Sequence, residues 1–195
     1  TATCEIAISD EVVRNENSGT IYSFLADAVT DAADGDTLTM LKSETLTAVV
    51  AINKDLTLDL GGKKLTGSTV KVSYSDHTED EKIALKMAAG NVTIKNGQID
   101  GRVNVYDAAN VTIERDVTIT SKAVKNTSKE KYNAFGIVVW GNGTYGDSAC
   151  QTPVLNLYGK VNVTGTKATG ISTNGTDASK PIINIYEGAE VTANK

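Results

Sequence analysis

The sequence predicts an all-β chain in which short strands stack as a β-solenoid, that is, a parallel β-helix, after one short N-terminal helix. Two observations support this prediction. A phrase made of a short strand, a tight turn and a second short strand recurs along the chain, and its copies are unequally spaced. The copies occupy residues 56–67, 92–101, 111–119, 155–163 and 183–191. A unit this short cannot bury its own apolar face, so repeated copies are expected to stack on one another.

The alternation within each copy separates inward-facing from outward-facing side chains. In the first copy Leu56, Leu58 and Leu60 alternate with Thr57 and Asp59, so the leucines are expected to point into the core. The positions equivalent to Leu58 are Ile94, Ile113, Leu157 and Ile185. A constant phrase at unequal intervals predicts loops of different lengths between stacked strands, near residues 73–82, 124–133 and 142–153. A second phrase, at residues 134–143 and 168–175, is expected to form another face of the same turns.

The 195 residues are predicted to form one domain, 1–195, with an arm and cap in residues 1–35 and strands in residues 36–195. A short amphipathic helix is expected near residues 22–34, where it would cover the open end of the stack. Its apolar stripe would be formed by Tyr22, Leu25, Ala26, Val29 and Ala33, with Ser23 as N-cap and Asp34-Gly35 as the stop. The chain ends directly after a strand, which favours truncation of the stack at this end and a longer parent chain.

Charge and hydropathy argue against several classes of partner. The net charge is −5, and the 19 basic residues are scattered among 24 acidic ones without a basic run. This pattern argues against a nucleic-acid partner, and no apolar stretch is long enough to predict membrane insertion. Cys4 and Cys150 are far apart in a stacked structure, and whether they pair is left open.

Residues 22–67, with their helix running into Asp34-Gly35-Asp36 and then into the first strand phrase, carry a family resemblance. This segment resembles the N-terminal cap and first turns of the pectate-lyase-like right-handed parallel β-helix superfamily. It is especially similar to versions in large surface proteins of Gram-positive and gut bacteria, where turns containing Gly-Ile, as at Gly136-Ile137, also occur. The resemblance implies a right-handed parallel β-helix and a secreted or cell-surface, extracellular protein. The superfamily contains adhesins, phage tailspikes, polysaccharide lyases and glycoside hydrolases, so it implies no single activity.

No catalytic residue is firmly predicted. If the chain is an enzyme, the candidates are Asp100, Arg102, Glu114 and Asp116, which successive turns of the solenoid would set side by side. The competing interpretation is that these are ordinary turn residues. No cofactor is predicted, although Ca²⁺ is left open because lyases of this superfamily usually hold it. His77 lies in an acidic stretch with Asp76 and Asp80, for which a solvated loop is the favoured interpretation and a metal site the alternative.

Aromatic residues are the strongest indication of binding. Trp140 and Tyr145 flank a glycine-rich stretch, while Tyr106, Tyr158 and Tyr186 each follow an alternating strand. Exposed rings on a rigid face suit stacking on sugars or anchoring a protein partner, whereas the alternative is a column of tyrosines that covers core. The sequence therefore predicts an adhesin-like binding module whose ligand is a glycan or a host surface protein. A carbohydrate-active enzyme, either a polysaccharide lyase or a glycoside hydrolase, is the alternative, and a structural stalk is the third interpretation.

Overall fold

The computed structural model describes residues 10–74, 77–124, 133–141, 151–175 and 179–195, which contain twenty strands and one helix. In chain order the elements are β1 (Val13–Asn15), β2 (Ile21–Tyr22), α1 (Leu25–Asp31), β3 (Asp36–Met40), β4 (Glu44–Thr45), β5 (Val50–Ile52), β6 (Leu56–Asp59), β7 (Lys64–Thr66), β8 (Ser68–Ser73), β9 (Thr78–Met87), β10 (Asn91–Lys95), β11 (Gly97–Asp100), β12 (Arg102–Tyr106), β13 (Asn110–Ile113), β14 (Val117–Lys122), β15 (Asn133–Trp140), β16 (Val154–Leu157), β17 (Lys160–Thr164), β18 (Lys167–Asn174), β19 (Ile182–Ile185) and β20 (Glu190–Asn194).

The strands form three sheets, which we call A, B and C. Sheet A has the order β19-β16-β13-β10-β6-β3-β1-β2, sheet B the order β20-β17-β14-β11-β7-β4, and sheet C the order β18-β15-β12-β9-β5. From β3 onward the neighbours in all three sheets are parallel, and each successive group of strands along the chain adds one strand to each sheet. The prediction of a mostly β chain with parallel strands is confirmed.

The register of sheet A is the one predicted from the repeated phrase. Leu58, Ile94, Ile113, Leu157 and Ile185 lie opposite one another on successive strands. The second strand of each phrase lies in sheet B, and the two copies of the second phrase pair with each other as β15 and β18 in sheet C. Inward side chains from all three sheets pack into one apolar cluster, to which Leu58, Ile99 and Val105 each contribute a fully buried side chain.

Helix α1 differs in detail from its prediction. It spans only Leu25–Asp31, its N-cap residue is Phe24 rather than Ser23, and that residue makes no side-chain capping bond. Instead, the backbone N–H of Leu25 donates to the Glu44 carboxylate, 3.0 Å away, on strand β4. A carboxylate from another strand thus supplies the acceptor and the negative charge that a helix N-terminus favours, which sequence-local capping rules do not detect. Burial reaches Leu25, Ala28 and Val29, whereas the predicted stripe members Ala26 and Ala33 are exposed.

The prediction of a loop at residues 73–82 is wrong. Strands β8 and β9 form an antiparallel hairpin whose register runs from Ser68 opposite Ile83 to Ser73 opposite Thr78. Residues 78–82 are all polar, which favours a loop, but their backbone pairs with β8, and Glu79 and Glu81 are buried. The other two predicted loops lie mostly outside the described residues, as do residues 1–9 and both cysteines. Among the described residues, the helix is too short to cross a membrane.

Candidate binding groove on sheet C

A groove of about 280 Å³ lies against sheet C and the β8–β9 hairpin. We call it the sheet C groove, and its lining is formed by residues 72–74, Arg102, Tyr106, Phe135, Val138, Trp140 and residues 172–174. Arg102 and Tyr106 alternate along β12 with Val103 and Val105, whose side chains are fully buried in the core. The groove therefore uses the face of sheet C that points away from the core.

Two rings on neighbouring strands form the aromatic part of the sheet C groove. Tyr106 and Trp140 lie opposite each other in the register of β12 and β15, and their rings meet edge to face with centroids 5.7 Å apart. The Lys86 ammonium lies 5.5 Å from the centroid of the Tyr106 ring. Burial raises the pKa of the Tyr106 hydroxyl, so this phenol stays neutral at physiological pH. Trp140 is only partly buried and can present ring surface to a ligand.

A buried ion pair lies beside these rings. Nη1 of Arg102 donates to Oε2 of Glu81 at 2.5 Å, and the two side chains are 10% and 4% exposed. The Tyr74 hydroxyl donates to the other oxygen of Glu81. Burial raises the pKa of Glu81, and the adjacent Arg102 charge limits that rise. The guanidinium also lies 5.9 Å from the centroid of the Phe135 ring, while the buried Nε of Arg102 has no hydrogen-bond partner among the described residues.

The direction of the Phe135 side chain depends on Gly136, which lies next to it on β15 behind the sheet C groove. A Cβ on Gly136 would lie 2.3 Å from Cγ1 of Val161, a buried core residue, so this position faces inward. The next residue, Ile137, is also fully buried in the core, and the strict alternation of β15 therefore breaks at this point. Because of that break, Phe135 reaches the groove on the outer face. Gly170 on β18 is similar, since a Cβ there would lie 2.2 Å from Cγ1 of Val191.

The structure does not gather the predicted catalytic candidates. Asp100 lies 3.1 Å from the Lys82 ammonium, and Arg102, which lines the groove, is paired with Glu81 behind it. Glu114 and Asp116 border a separate depression together with Lys95 and Arg115, and Asp116 accepts a hydrogen bond from the Asn96 backbone. In the register of sheet B Asp100 lies opposite Thr120, four residues beyond Asp116. Four residues of strand correspond to roughly 13 Å, so the expected side-by-side arrangement is wrong.

The predicted binding aromatics divide into different places. Tyr106 and Trp140 meet in the sheet C groove, whereas Tyr158 and Tyr186 follow strands of sheet A and stack face to face with centroids 4.0 Å apart. For these two tyrosines the structure agrees with the alternative of a stacked column. Tyr145 lies outside the described residues.

His77 is not in a solvated loop, contrary to the favoured interpretation. Its side chain is 11% exposed, and its ring stacks on Tyr74 with centroids 5.1 Å apart. Its Nε2 lies 3.6 Å from a carboxylate oxygen of Glu79, while Asp80 pairs with Lys71. Asp76 lies outside the described residues. Within the described part of the chain, no three His, Cys, Asp or Glu side chains converge as a metal site requires, and Ca²⁺ binding stays a prediction.

Sequence reasoning missed Tyr74, Glu81, Phe135 and residues 172–174. Tyr74 and Glu81 lie in the stretch predicted as a loop, because residues 78–82 are all polar and only residues 70–72 show the Val-Lys-Val alternation of a strand. Aligning the two copies of the second phrase would have placed Asn174 beside Trp140, as the register of β15 and β18 does. The outward direction of Phe135 could not be predicted from the alternation of β15, because it depends on the break at Gly136.

The chain matches no protein-family model, no curated protein and no solved structure. The predicted membership of the pectate-lyase-like superfamily therefore stays a prediction. The described residues themselves define a β-rich protein of parallel sheets with an aromatic groove on one outer face.

Proposed function

We propose that this chain is a right-handed parallel β-helix module of an extracellular, adhesin-like protein, and that it binds a glycan in the sheet C groove. The β-helix part of the proposal is supported by the order of the three sheets, each of which gains one strand per repeat. It is further supported by the continuous column from Leu58 to Ile185. A rigid stack of this kind holds a binding face in place without needing a ligand to order it.

The observation that carries the glycan proposal is the composition of the sheet C groove. Four aromatic residues line it, namely Tyr74, Tyr106, Phe135 and Trp140, together with one buried arginine and the neutral polar residues 172–174. Sugars present apolar C–H faces that stack on aromatic rings, and hydroxyl groups that need fixed hydrogen-bond partners at the edges. The volume of about 280 Å³ lies at the small end of ligand sites, which suits one part of a longer chain of sugars.

The same groove favours binding over cleavage. No Asp or Glu is among the described residues that line it, and Glu81 behind it is held by Arg102 and Tyr74. Glycoside hydrolases need two carboxyl groups about 5–9.5 Å apart across the scissile bond. The candidate carboxylates Asp100 and Asp116 are separated along the strands and face their own partners. A purely structural stalk would have no reason to place aromatic rings around a groove.

The test is a glycan-array and host-protein screen of the whole chain, followed by titration calorimetry on each hit. We expect saturable glycan binding that falls at least about tenfold in Trp140→Leu, which removes the stacking ring but keeps an apolar side chain. Tyr186→Ala is the matched control, because that ring is partly exposed but lies on sheet A away from the groove, and it should bind normally. Circular dichroism verifies that both variants fold.

Three results would contradict the proposal. Binding lost in Tyr186→Ala but kept in Trp140→Leu would place the site elsewhere. Binding to a polypeptide alone would replace the glycan with a protein partner. Release of reducing ends or unsaturated sugars by the unmodified chain would favour the enzyme.

A further inference from the structure

We infer that the sheet C groove selects uncharged sugar units over sugars that carry a carboxylate, with Arg102 acting as a hydrogen-bond donor and not as a receptor for an anion. This inference rests on the proposed function, because it assumes that the groove binds glycans. It adds the chemical class of the ligand. The charge balance around Arg102, the donors that remain on it and the neutral groups across the groove support it.

The positive charge of Arg102 is already matched inside the protein. Glu81 lies 2.5 Å away and is almost fully buried, so the two groups form a desolvated pair. Glu79, on the same strand as Glu81, is 2% exposed and accepts hydrogen bonds from the backbone and the side chain of Asn133. On the other side, the Lys86 ammonium lies over the Tyr106 ring, and Lys82 pairs with Asp100. Arg102 and Lys82 therefore each have a carboxylate partner, which lowers the positive potential beside the groove.

A carboxylated ligand that used the remaining donors of Arg102 would place a second negative charge beside Glu81, which is 4% exposed. The guanidinium charge is already matched by Glu81, so the second carboxylate would lose solvation without an equal gain in attraction. Burying a charge without a matching partner is strongly unfavourable, so the cost would oppose carboxylated sugars specifically. A hydroxyl group or a ring oxygen of an uncharged sugar avoids this cost, because it can accept a hydrogen bond while the ion pair stays intact.

Arg102 has donors left for such a ligand. A guanidinium carries five N–H donors, and Glu81 is the acceptor that the described residues provide for it, through Nη1. The side chain lines the groove although it is nine-tenths buried, so it offers a fixed edge and little flexible charge. Across the groove Ser172, Thr173 and Asn174 add neutral donors and acceptors. These groups suit the hydroxyls of a neutral pyranoside that stacks on Trp140.

The experiment compares each glycan that the array retains with a counterpart that differs from it in whether C6 carries a carboxylate. A neutral hit is compared with its C6-oxidised form, and an acidic hit with its carboxyl-reduced form, by titration calorimetry at low and high salt. We expect the neutral member of each pair to bind at least about tenfold more tightly, with little dependence on salt. Tighter binding of the carboxylated member, weakened by salt, would overturn the inference and leave the proposed function standing. If no glycan binds at all, the proposed function itself fails.

A variant pair tests the role of Glu81 directly. Glu81→Gln removes the charge that matches Arg102, so we expect the neutral-over-acidic preference to fall at least about tenfold, mainly through better binding of the carboxylated form. Asp80→Asn is the matched control on the same strand, because Asp80 pairs with the exposed Lys71 and should leave the preference unchanged. An unchanged preference in Glu81→Gln would overturn the proposed charge matching. If that variant does not fold, the comparison of paired glycans on the unmodified chain still decides the inference.

Discussion

Two single residues shape the sheet C groove, Gly136 because it has no side chain and Glu81 because it balances the charge of Arg102. Gly136 leaves out a side chain, and the space is filled by Val161 from sheet B. The break in the alternation of β15 at Gly136 also turns Phe135 toward the sheet C groove, where the ring lies beside Arg102. Glu81 neutralises Arg102 and thereby keeps a buried guanidinium at the edge of a binding surface. Core packing and groove chemistry are thus coupled through adjacent residues of one strand.

Gly136→Ala should destabilise the fold. The added Cβ would lie 2.3 Å from Cγ1 of Val161 and 2.6 Å from the carbonyl oxygen of Gly170, so both strands would have to shift. We expect a loss of about 1–3 kcal/mol in the free energy of unfolding, measured by urea denaturation. Ser172→Ala on the outer face of the neighbouring strand is the control, with an expected change within about 0.5 kcal/mol. Equal stability of the two variants would show that Gly136 does not face the core.

At the scale of elements, polar side chains join strands that the backbone ladders already pair. On sheet A the side-chain amides form a continuous chain of hydrogen bonds, in which Asn110 donates to Asn91, Asn156 to Asn110, and Asn184 to Asn156. At the other end of that sheet, β1 pairs antiparallel with β3 and is fastened by a bond from the Asn15 amide to the Asp36 carboxylate. These bonds fix how each strand sits on the next one.

The bond between β1 and β3 predicts a dependence on pH. The Asn15 amide and the Ala33 backbone N–H hold the pKa of Asp36 below its usual value of 3.8. A carboxyl with a lowered pKa in the folded state contributes stability above its unfolded pKa, and this contribution is lost as the pH falls through the folded pKa. We therefore expect Asp36→Asn to be less stable than the unmodified protein near neutral pH, with a difference that shrinks below pH 3.8.

Thermal unfolding of both proteins across that pH range measures the difference. Asn15→Ala keeps the carboxylate but removes its main partner, and it should show part of the same effect. Asp10→Asn changes an exposed carboxyl and serves as the control. A difference for Asp36→Asn that stays constant with pH would contradict the role assigned to the bond.

Across the whole molecule, burial is unevenly distributed along the three sheets. The inward residues of the middle strands are fully buried, as Ile94, Ile113 and Ile119 show. At the edges formed by β19 in sheet A and β20 in sheet B, burial is much lower. All five residues of β20 are exposed, and in β19 Ile185 is 58% exposed although it continues the column of Leu58. Helix α1 instead contacts β1, β2 and β3 at the opposite end of sheet A and β5 at the edge of sheet C. The two ends of the sheets therefore differ in how much of their apolar surface is covered by other parts of the chain.

This asymmetry predicts a gradient of local stability. Amide hydrogen exchange should be slowest in β10, β13 and β14, where strands lie on both sides and the inward apolar side chains are buried, and fastest in β19 and β20. The measurement is exchange followed by mass spectrometry at peptide resolution, with peptides from β16 and β17 expected to be intermediate. Uniform protection across all these strands would show that the chain unfolds as one cooperative unit and would contradict the prediction.

Much of the fold could be predicted because its information is local and repeated. The alternation in each phrase indicates which side chains face inward, and the alignment of Leu58 with Ile94, Ile113 and Leu157 is the register that the sheet adopts. The hairpin was predicted wrongly because residues 78–82 are all polar, and the partners of the buried Glu79 and Glu81 come from other strands. The helix cap was predicted wrongly because its partner comes from β4. Glu44 lies 19 residues after Leu25 in the chain, and no local capping rule connects them.

The sequence by itself therefore determined the strand repeats, their register and the inward face of each strand, since these depend on spacing of apolar residues along the chain. Only the tertiary structure decided the site. Tyr106 comes from β12 and Trp140 from β15, Arg102 meets Glu81 from a segment predicted as a loop, and Phe135 reaches the groove through a break in alternation. The physical reason is that a groove forms between strands distant in sequence, where side-chain direction depends on packing behind the sheet.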